Sequence, residues 1–414
     1  MPHTSAMLRR GAAVAVLLGT LTVPLVAPPA VAPAALAAPS ATPSPSGSPD
    51  VRAMTPATAR RLDAAVQHVM REANVPGVTV GVWTPGQSDY VRSFGVANKA
   101  TGQPMSPDLY MRIGSETKTF TVTAVLQLAD QGRVSLDDPI GKYLDGVPNG
   151  DRITLRDLAG MRSGLFNYSE DPGFFKALTS DPQRPFTPQQ LLAYSFRHPV
   201  MFRPGERFYY SNTNLIVLGL LVEKESGQRL GDYLEQHVLG PAGMHHTLFP
   251  TGNEFPTPHA QGYTDQTATG KVEETAGWNP SWGWAAGAMI SNLDDLRTWA
   301  RTVATGVFPD GTTMVGPAVQ KQRLTTPSTG IQGAGYGLGI FDVQGWIGHN
   351  GSLPGYQSLT VFLPSTGTTV VVLLNTDISY KGDIEPSTLF GQAVTQIISP
   401  AHVFDLPAPA SATR

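Results

Sequence analysis

The sequence predicts an α+β protein in which both ends of the chain build one antiparallel sheet and a helical middle lies beside it. Three observations carry this expectation. Two β-rich runs near the start, GVTVGVW (77–83) and DYVRSFGVAN (89–98), are separated by Thr84-Pro85-Gly86, a hairpin signal. The stretch from roughly 130 to 285 reads as helices and loops. Four β-like runs then return at 335–341, 345–349, 355–363 and 369–375. Strands, then helices, then strands again make one sheet with a helical insertion. The edge between the two lobes is where a ligand cleft belongs.

Taken in order, residues 1–37 carry Arg9 and Arg10, an apolar run from Gly11 to Val26, and Ala35-Leu36-Ala37. A basic start, an apolar stretch and a small-x-small cleavage site make a secretory signal peptide. Thr20, Thr22 and Pro24 interrupt the run, which argues against a membrane span. Residues 38–50 (APSATPSPSGSPD) read as a Pro/Ser-rich spacer. The folded domain is assigned to 51–400, with a tail at 401–414. Within it, TARRLDAAVQHVMREA (58–73) has helical apolar spacing, and residues 116–130 form a helix with an apolar stripe. The run 214–228 is helical with Gly227 as its stop, 292–304 is a short helix, and 384–398 the last.

The chain of 414 residues is 41% hydrophobic and 15% charged, with 43 Gly, 36 Pro and no Cys. It is long enough to bury a full core without disulfide staples. Absent cysteine excludes a thiol nucleophile and cysteine-held zinc or iron–sulfur centres. A net charge of −3 gives no footprint for nucleic acid. His245-His246 are adjacent with no suitably spaced acid, so no metal site is expected, and no cofactor motif occurs. No serine has glycine at both −2 and +2, which rules out an α/β-hydrolase nucleophile elbow. Leu363-Pro364-Ser365-Thr366-Gly367 lies between two β runs and reads as a hairpin turn.

Three short motifs can carry chemistry. In Ser115-Glu116-Thr117-Lys118, serine and lysine at i and i+3 share a face at a helix start. A lysine whose pKa is lowered can take the serine's proton, and free backbone N–H groups there can hold an oxyanion. In Tyr210-Ser211-Asn212, tyrosine and asparagine in a turn can face one cavity, Asn212 bonding a substrate amide and Lys118. Equally, Ser211 or Asn212 can be a plain helix cap. His349-Asn350-Gly351 closes a β run, where an edge strand can receive a substrate backbone.

In this order the three motifs resemble the signature of the penicillin-recognising serine hydrolases, across about residues 55–400. The closest likeness is to exported actinobacterial D-alanyl-D-alanine carboxypeptidases and to class C β-lactamases and esterases. Arg162-Ser163-Gly164-Leu165, Ala286-Gly287-Ala288 and Gly335-Tyr336-Gly337-Leu338-Gly339 add to it. The resemblance implies the β-lactamase/DD-peptidase-like fold and a Ser115 acyl-enzyme. It implies that Lys118 and Tyr210 share base and acid work, that Asn212 positions the substrate and that His349 lines the third-motif strand. An oxyanion hole would come from the N–H groups of Ser115 and Ser352, beside Asn350 and Gly351, and Trp282 or Trp284 would wall the cleft. Expected ligands are peptidoglycan stem peptides and covalently bound β-lactams, met by a secreted enzyme. One departure stands out. Such carboxypeptidases usually place an arginine just after the Gly-Tyr-Gly-Leu-Gly strand, whereas this chain has Ile340-Phe341-Asp342-Val343. An esterase or β-lactamase therefore remains an alternative, and a non-catalytic peptidoglycan binder a third.

Overall fold

The computed structural model describes residues 51–406. The stretches read from the sequence as a signal peptide and a spacer, and the end of the tail, lie outside the described residues. The main sheet has eight strands: β1 (Gly77–Trp83), β2 (Tyr90–Asn98), β3 (Gln103–Pro104), β4 (Ala334–Tyr336), β5 (Phe341–Val343), β6 (Trp346–Leu353), β7 (Tyr356–Leu363) and β8 (Thr368–Leu374). Their spatial order is β3-β2-β1-β8-β7-β6-β5-β4. The early hairpin and the late meander join through β1 and β8, antiparallel from Val78↔Leu374 to Trp83↔Thr369. One sheet from both chain ends is what the sequence predicts.

Every residue of β1, β7 and β8 is buried, the polar Thr79, Gln357, Ser358 and Thr360 included. On one face lie α1 (Pro56–Glu72) and the C-terminal helix Pro386–Ile398, sharing a core through Leu62, Val66, Val80, Val372, Phe390 and Val394. The packing runs on past residue 400, since Phe404 is buried and its N–H donates to Thr395 Oγ1 at 2.8 Å. The opposite face meets Leu293–Thr305 and, beyond it, the helical lobe built around α2 (Thr117–Asp130) and α3 (Asn212–Ser226).

Two expectations change. The segment 116–130 forms its helix, but not as an amphipathic one: Thr117 through Leu128 are all buried. Its threonines are accommodated because each hydroxyl is bonded. Thr119 Oγ1 donates to Glu116 O, Thr121 Oγ1 to Ala285 O and Thr123 Oγ1 to Thr119 O, while Thr117 Oγ1 accepts from Met289 N–H. The run 335–341 is broken into β4 and β5, because Gly339 takes φ +68° and Gly337 N–H closes a turn onto Ile340 O at 2.8 Å. Gly227 ends α3 at φ +73°, and Gly367 N–H donates to Leu363 O in the β7–β8 turn, both as expected.

Strand β6 reaches further than the run 345–349 implied and carries His349 to Ser352 inside it. β5 pairs with it only from Trp346 to Gly348. The rest of that edge faces the turn that holds Ser115. Mid-strand, Gly348 allows β7 to approach: a Cβ there would sit 2.0 Å from Thr360 O. Gly348→Ala is expected to destabilise the fold by about 1–3 kcal/mol. Gly277→Ala, at an exposed position with open space around it, is expected to change stability by no more than about 0.5 kcal/mol. Urea denaturation of the two variants checks both.

Candidate active site

Ser115 sits in a one-turn 3-10 segment, Gly114–Glu116, that runs straight into α2. Gly114 has φ +51°, and a Cβ on it would lie 2.8 Å from Ser352 N. From the other side, a Cβ on Gly351 would fall 2.0 Å from Ile113 O. Glycine at both positions lets strand β6 press against the serine turn. That contact brings the backbone nitrogens of Ser115 and Ser352 to the same end of the cleft.

Lys118 Nζ lies 2.9 Å from Ser115 Oγ and donates to Ala286 O at 2.8 Å. The side chain is fully buried, and burial alone holds its pKa well below the usual lysine range. The serine is half-buried and opens to the cleft. A lone-pair-bearing amine at hydrogen-bond distance from a serine hydroxyl is the arrangement a general base needs.

Tyr210 covers the pair from α3's leading turn. Its ring centroid is 4.9 Å from Lys118 Nζ, and its phenol hydrogen-bonds Ser115. Burial pushes the phenol's pKa up, with the Glu385 charge adding to this, against the lowering by Ser115. Tyr210 therefore keeps its proton and is a donor. Asn212 directs its amide to Ser169 Oγ at 3.1 Å, and not to Lys118. The capping alternative also fails at the side-chain level: Ser211 is the N-cap residue of α3 but makes no capping side-chain bond.

His349 is buried behind this group rather than lining the cleft. Its Nε2 meets Tyr336 Oη at 3.2 Å, Nδ1 lies 2.6 Å from Asn350 O, and its ring centroid is 6.1 Å from that of Tyr210. Burial first, and the Lys118 charge second, push its pKa down to about 3, so the ring is neutral. Asn350 donates to Glu385 Oε2 at 2.8 Å, away from the serine. Of the third-motif residues it is Ser352 that reaches the cleft.

The cleft has a volume of about 190 Å³, and its lining includes Ser115, Ser169, Asn212, Gln266, Trp282 and Ser352. Trp282 is the wall tryptophan. Trp284 packs instead on α3, where a Cβ on Gly219 would touch its ring at 2.8 Å. Among the described residues, no lysine, arginine, aspartate or glutamate lines the cleft. Where an arginine was looked for, the Phe341 ring lies 4.9 Å from the His349 ring, and Asp342 accepts from Gly345 N–H. Among the described residues no cluster suits a metal ion.

Sequence reasoning missed Ser169, Gln266 and Glu385, which complete the site; none has a motif, and each arrives through a loop or helix start whose position only the fold sets. Glu116 was visible beside Ser115, but not its fate. It is 1% exposed next to Ser358 and Thr360, and burial pushes its pKa from 4.5 up to about 8.

The chain was compared with known proteins. Residues 62–389 match the family model described as Beta-lactamase. The chain is 27% identical to Protein flp of Staphylococcus aureus (strain MW2) over 339 residues, 79% of this chain and 65% of that protein. It is 29% identical over 303 residues to a D-aminopeptidase of Brucella anthropi, covering 72% of this chain and 55% of the relative. The match thus spans less than two thirds of these curated relatives. Among solved structures, a D-stereospecific amidohydrolase from a Streptomyces species superposes with a TM-score of 0.70 at 30% identity, covering 80% of this chain and 97% of the other.

The carboxyl of Glu116 binds more protons in the folded than in the unfolded state between pH 4.5 and about 8, so its contribution to stability is present at low pH and is lost as pH rises through that window. Glu116→Gln, which keeps the shape of the neutral form, is expected to melt increasingly above the wild type as pH rises from 5 to 9, read by thermal melts across that range. An unchanged difference contradicts the buried, protonated state.

Proposed function

Because the chain belongs to the beta-lactamase family of serine hydrolases, we propose that Ser115 is acylated by an amide or lactam carbonyl and that water then releases the acid. The observation that carries this reading is the 2.9 Å contact between Ser115 Oγ and the desolvated Lys118 amine. Lys118 takes the hydroxyl proton as Oγ attacks the carbonyl. Backbone N–H groups of Ser115 and Ser352 receive the negative charge that develops on the carbonyl oxygen. Tyr210, protonated and bonded to Ser115, gives a proton to the leaving amine and regains one from Lys118. Deacylation reverses the roles, with water as nucleophile. Asn212 and Gln266 supply amide groups to orient the substrate, and Trp282 gives the cleft an aromatic wall. Retention of a buried lysine beside the serine argues against a purely binding role.

For substrate, a D-alanyl-D-alanine carboxypeptidase of cell-wall stem peptides is one reading, and an exported location would suit it. The uncharged cleft lining favours a second: hydrolysis of an amide or ester whose leaving group bears no carboxylate. The D-aminopeptidase and the D-stereospecific amidohydrolase among its relatives support an acyl group of D configuration. β-Lactams are expected to acylate the same serine under either reading.

Incubation with a labelled penicillin followed by mass spectrometry is expected to place the adduct on Ser115, and an equal yield with Ser115→Ala overturns the mechanism. Lys118→Ala is expected to slow acylation by about 10²–10⁴-fold with the fold intact by circular dichroism. For the substrate, D-amino acid amide turnover is expected to exceed D-alanine release from an N-acylated Lys-D-Ala-D-Ala peptide. The reverse order restores the carboxypeptidase reading.

A further inference from the structure

Arg112 lies three residues before the nucleophile, on a short strand whose partner is Ile290–Ser291. Its side chain is 2% exposed. Nη2 donates to Trp278 O at 2.9 Å and to Ala276 O at 3.3 Å, and the guanidinium carbon stands 4.8 Å over the Phe255 ring. Nε and Nη1 are buried and have no hydrogen-bond partner among the described residues. None of the described acids reaches ion-pair distance of it. Glu254 acts on it only through space, and that carboxylate is exposed and accepts from Thr251.

A buried cation with two unmet donors and no counter-charge is costly, since guanidinium does not shed its proton readily. It also borders a cavity of about 10 Å³, lined by Arg112, Thr275, Trp278, Trp282, Leu353 and Pro354 among others. That space admits one small, near-spherical species and is too small for carboxylate, phosphate or sulfate. A water would satisfy a donor and leave the charge unbalanced. A single-atom anion answers both needs.

We propose that this cavity is a halide site, occupied by chloride under ordinary conditions, with Arg112 Nε and Nη1 as its donors and the Thr275 hydroxyl beside them. The ion lies behind the wall of the active cleft, because Trp282, Gly287, Leu353 and Pro354 border both spaces. It therefore stiffens the Ala276–Trp282 segment that Arg112 already holds by two carbonyls. This site is independent of which acyl donor the serine attacks, and it takes no part in the chemistry.

The test uses the whole protein. Anomalous diffraction from wild-type crystals grown in bromide is expected to show one peak within hydrogen-bond reach of Arg112 Nε and Nη1. In solution, raising chloride roughly a hundredfold against gluconate at fixed ionic strength is expected to raise the melting temperature by a few degrees through mass action. Arg112→Gln and Arg112→Met are expected to lose that shift. Should neither variant fold, the wild-type bromide map decides. A map without an anomalous peak there, or with water in the cavity, overturns the proposal, as does an equal melting shift in chloride and gluconate.

Discussion

Everything in the cleft depends on one amine being kept out of water. Lys118 stands on a helix buried on all sides, held from behind by Ala286 O and facing Ser115 Oγ in front. In water that nitrogen would carry a proton and be useless as a base. Enclosure removes the hydration that favours the charge, with no acid beside it to restore the balance. The same dryness makes His349 neutral, keeps the proton on Tyr210 and holds one on Glu116. The site is thus a group of ionisable side chains whose burial disfavours their charged forms.

The second constraint is steric. Strand β6 and the serine turn approach so closely that Gly114 and Gly351 have no room for a Cβ. Because β6 is paired across the sheet to β7, the strand edge beside the nucleophile is fixed by the sheet and not by a loop. The lysine comes from the helical lobe and the edge from the sheet, so the candidate site lies where the two lobes meet.

Much of this was legible in the sequence because it is encoded locally. Hairpin signals placed β1, β2, β7 and β8, and Gly227 marked the end of α3. Ser115 and Lys118 met as their i, i+3 spacing on a helix requires. What was not legible depends on distant contacts. Nothing near Asn212 says that its amide turns to Ser169, or near Asn350 that it bonds Glu385 at the start of the C-terminal helix. The sequence neighbours of Tyr210 say nothing about its burial, which dominates its titration. The break between β4 and β5 was written in Gly337 and Gly339, but an alternating apolar run around them outweighed it. Trp282 and Trp284 are two residues apart and differ only in which side of a short turn they leave.

The β1–β8 pairing also orders events in time. Val78 and Leu374 become neighbours only after nearly all of the domain has been synthesised, and closing so long a loop slows folding. Until then the early hairpin shows a valine-rich strand with one open edge, the kind of surface that invites pairing with other chains. The helical lobe, whose contacts are nearer in sequence, can collapse first and hold the serine helix before its strand edge exists. The complete Ser115 cleft is then the last feature the nascent chain acquires, and it comes with the strand that ends the exposure of the hairpin.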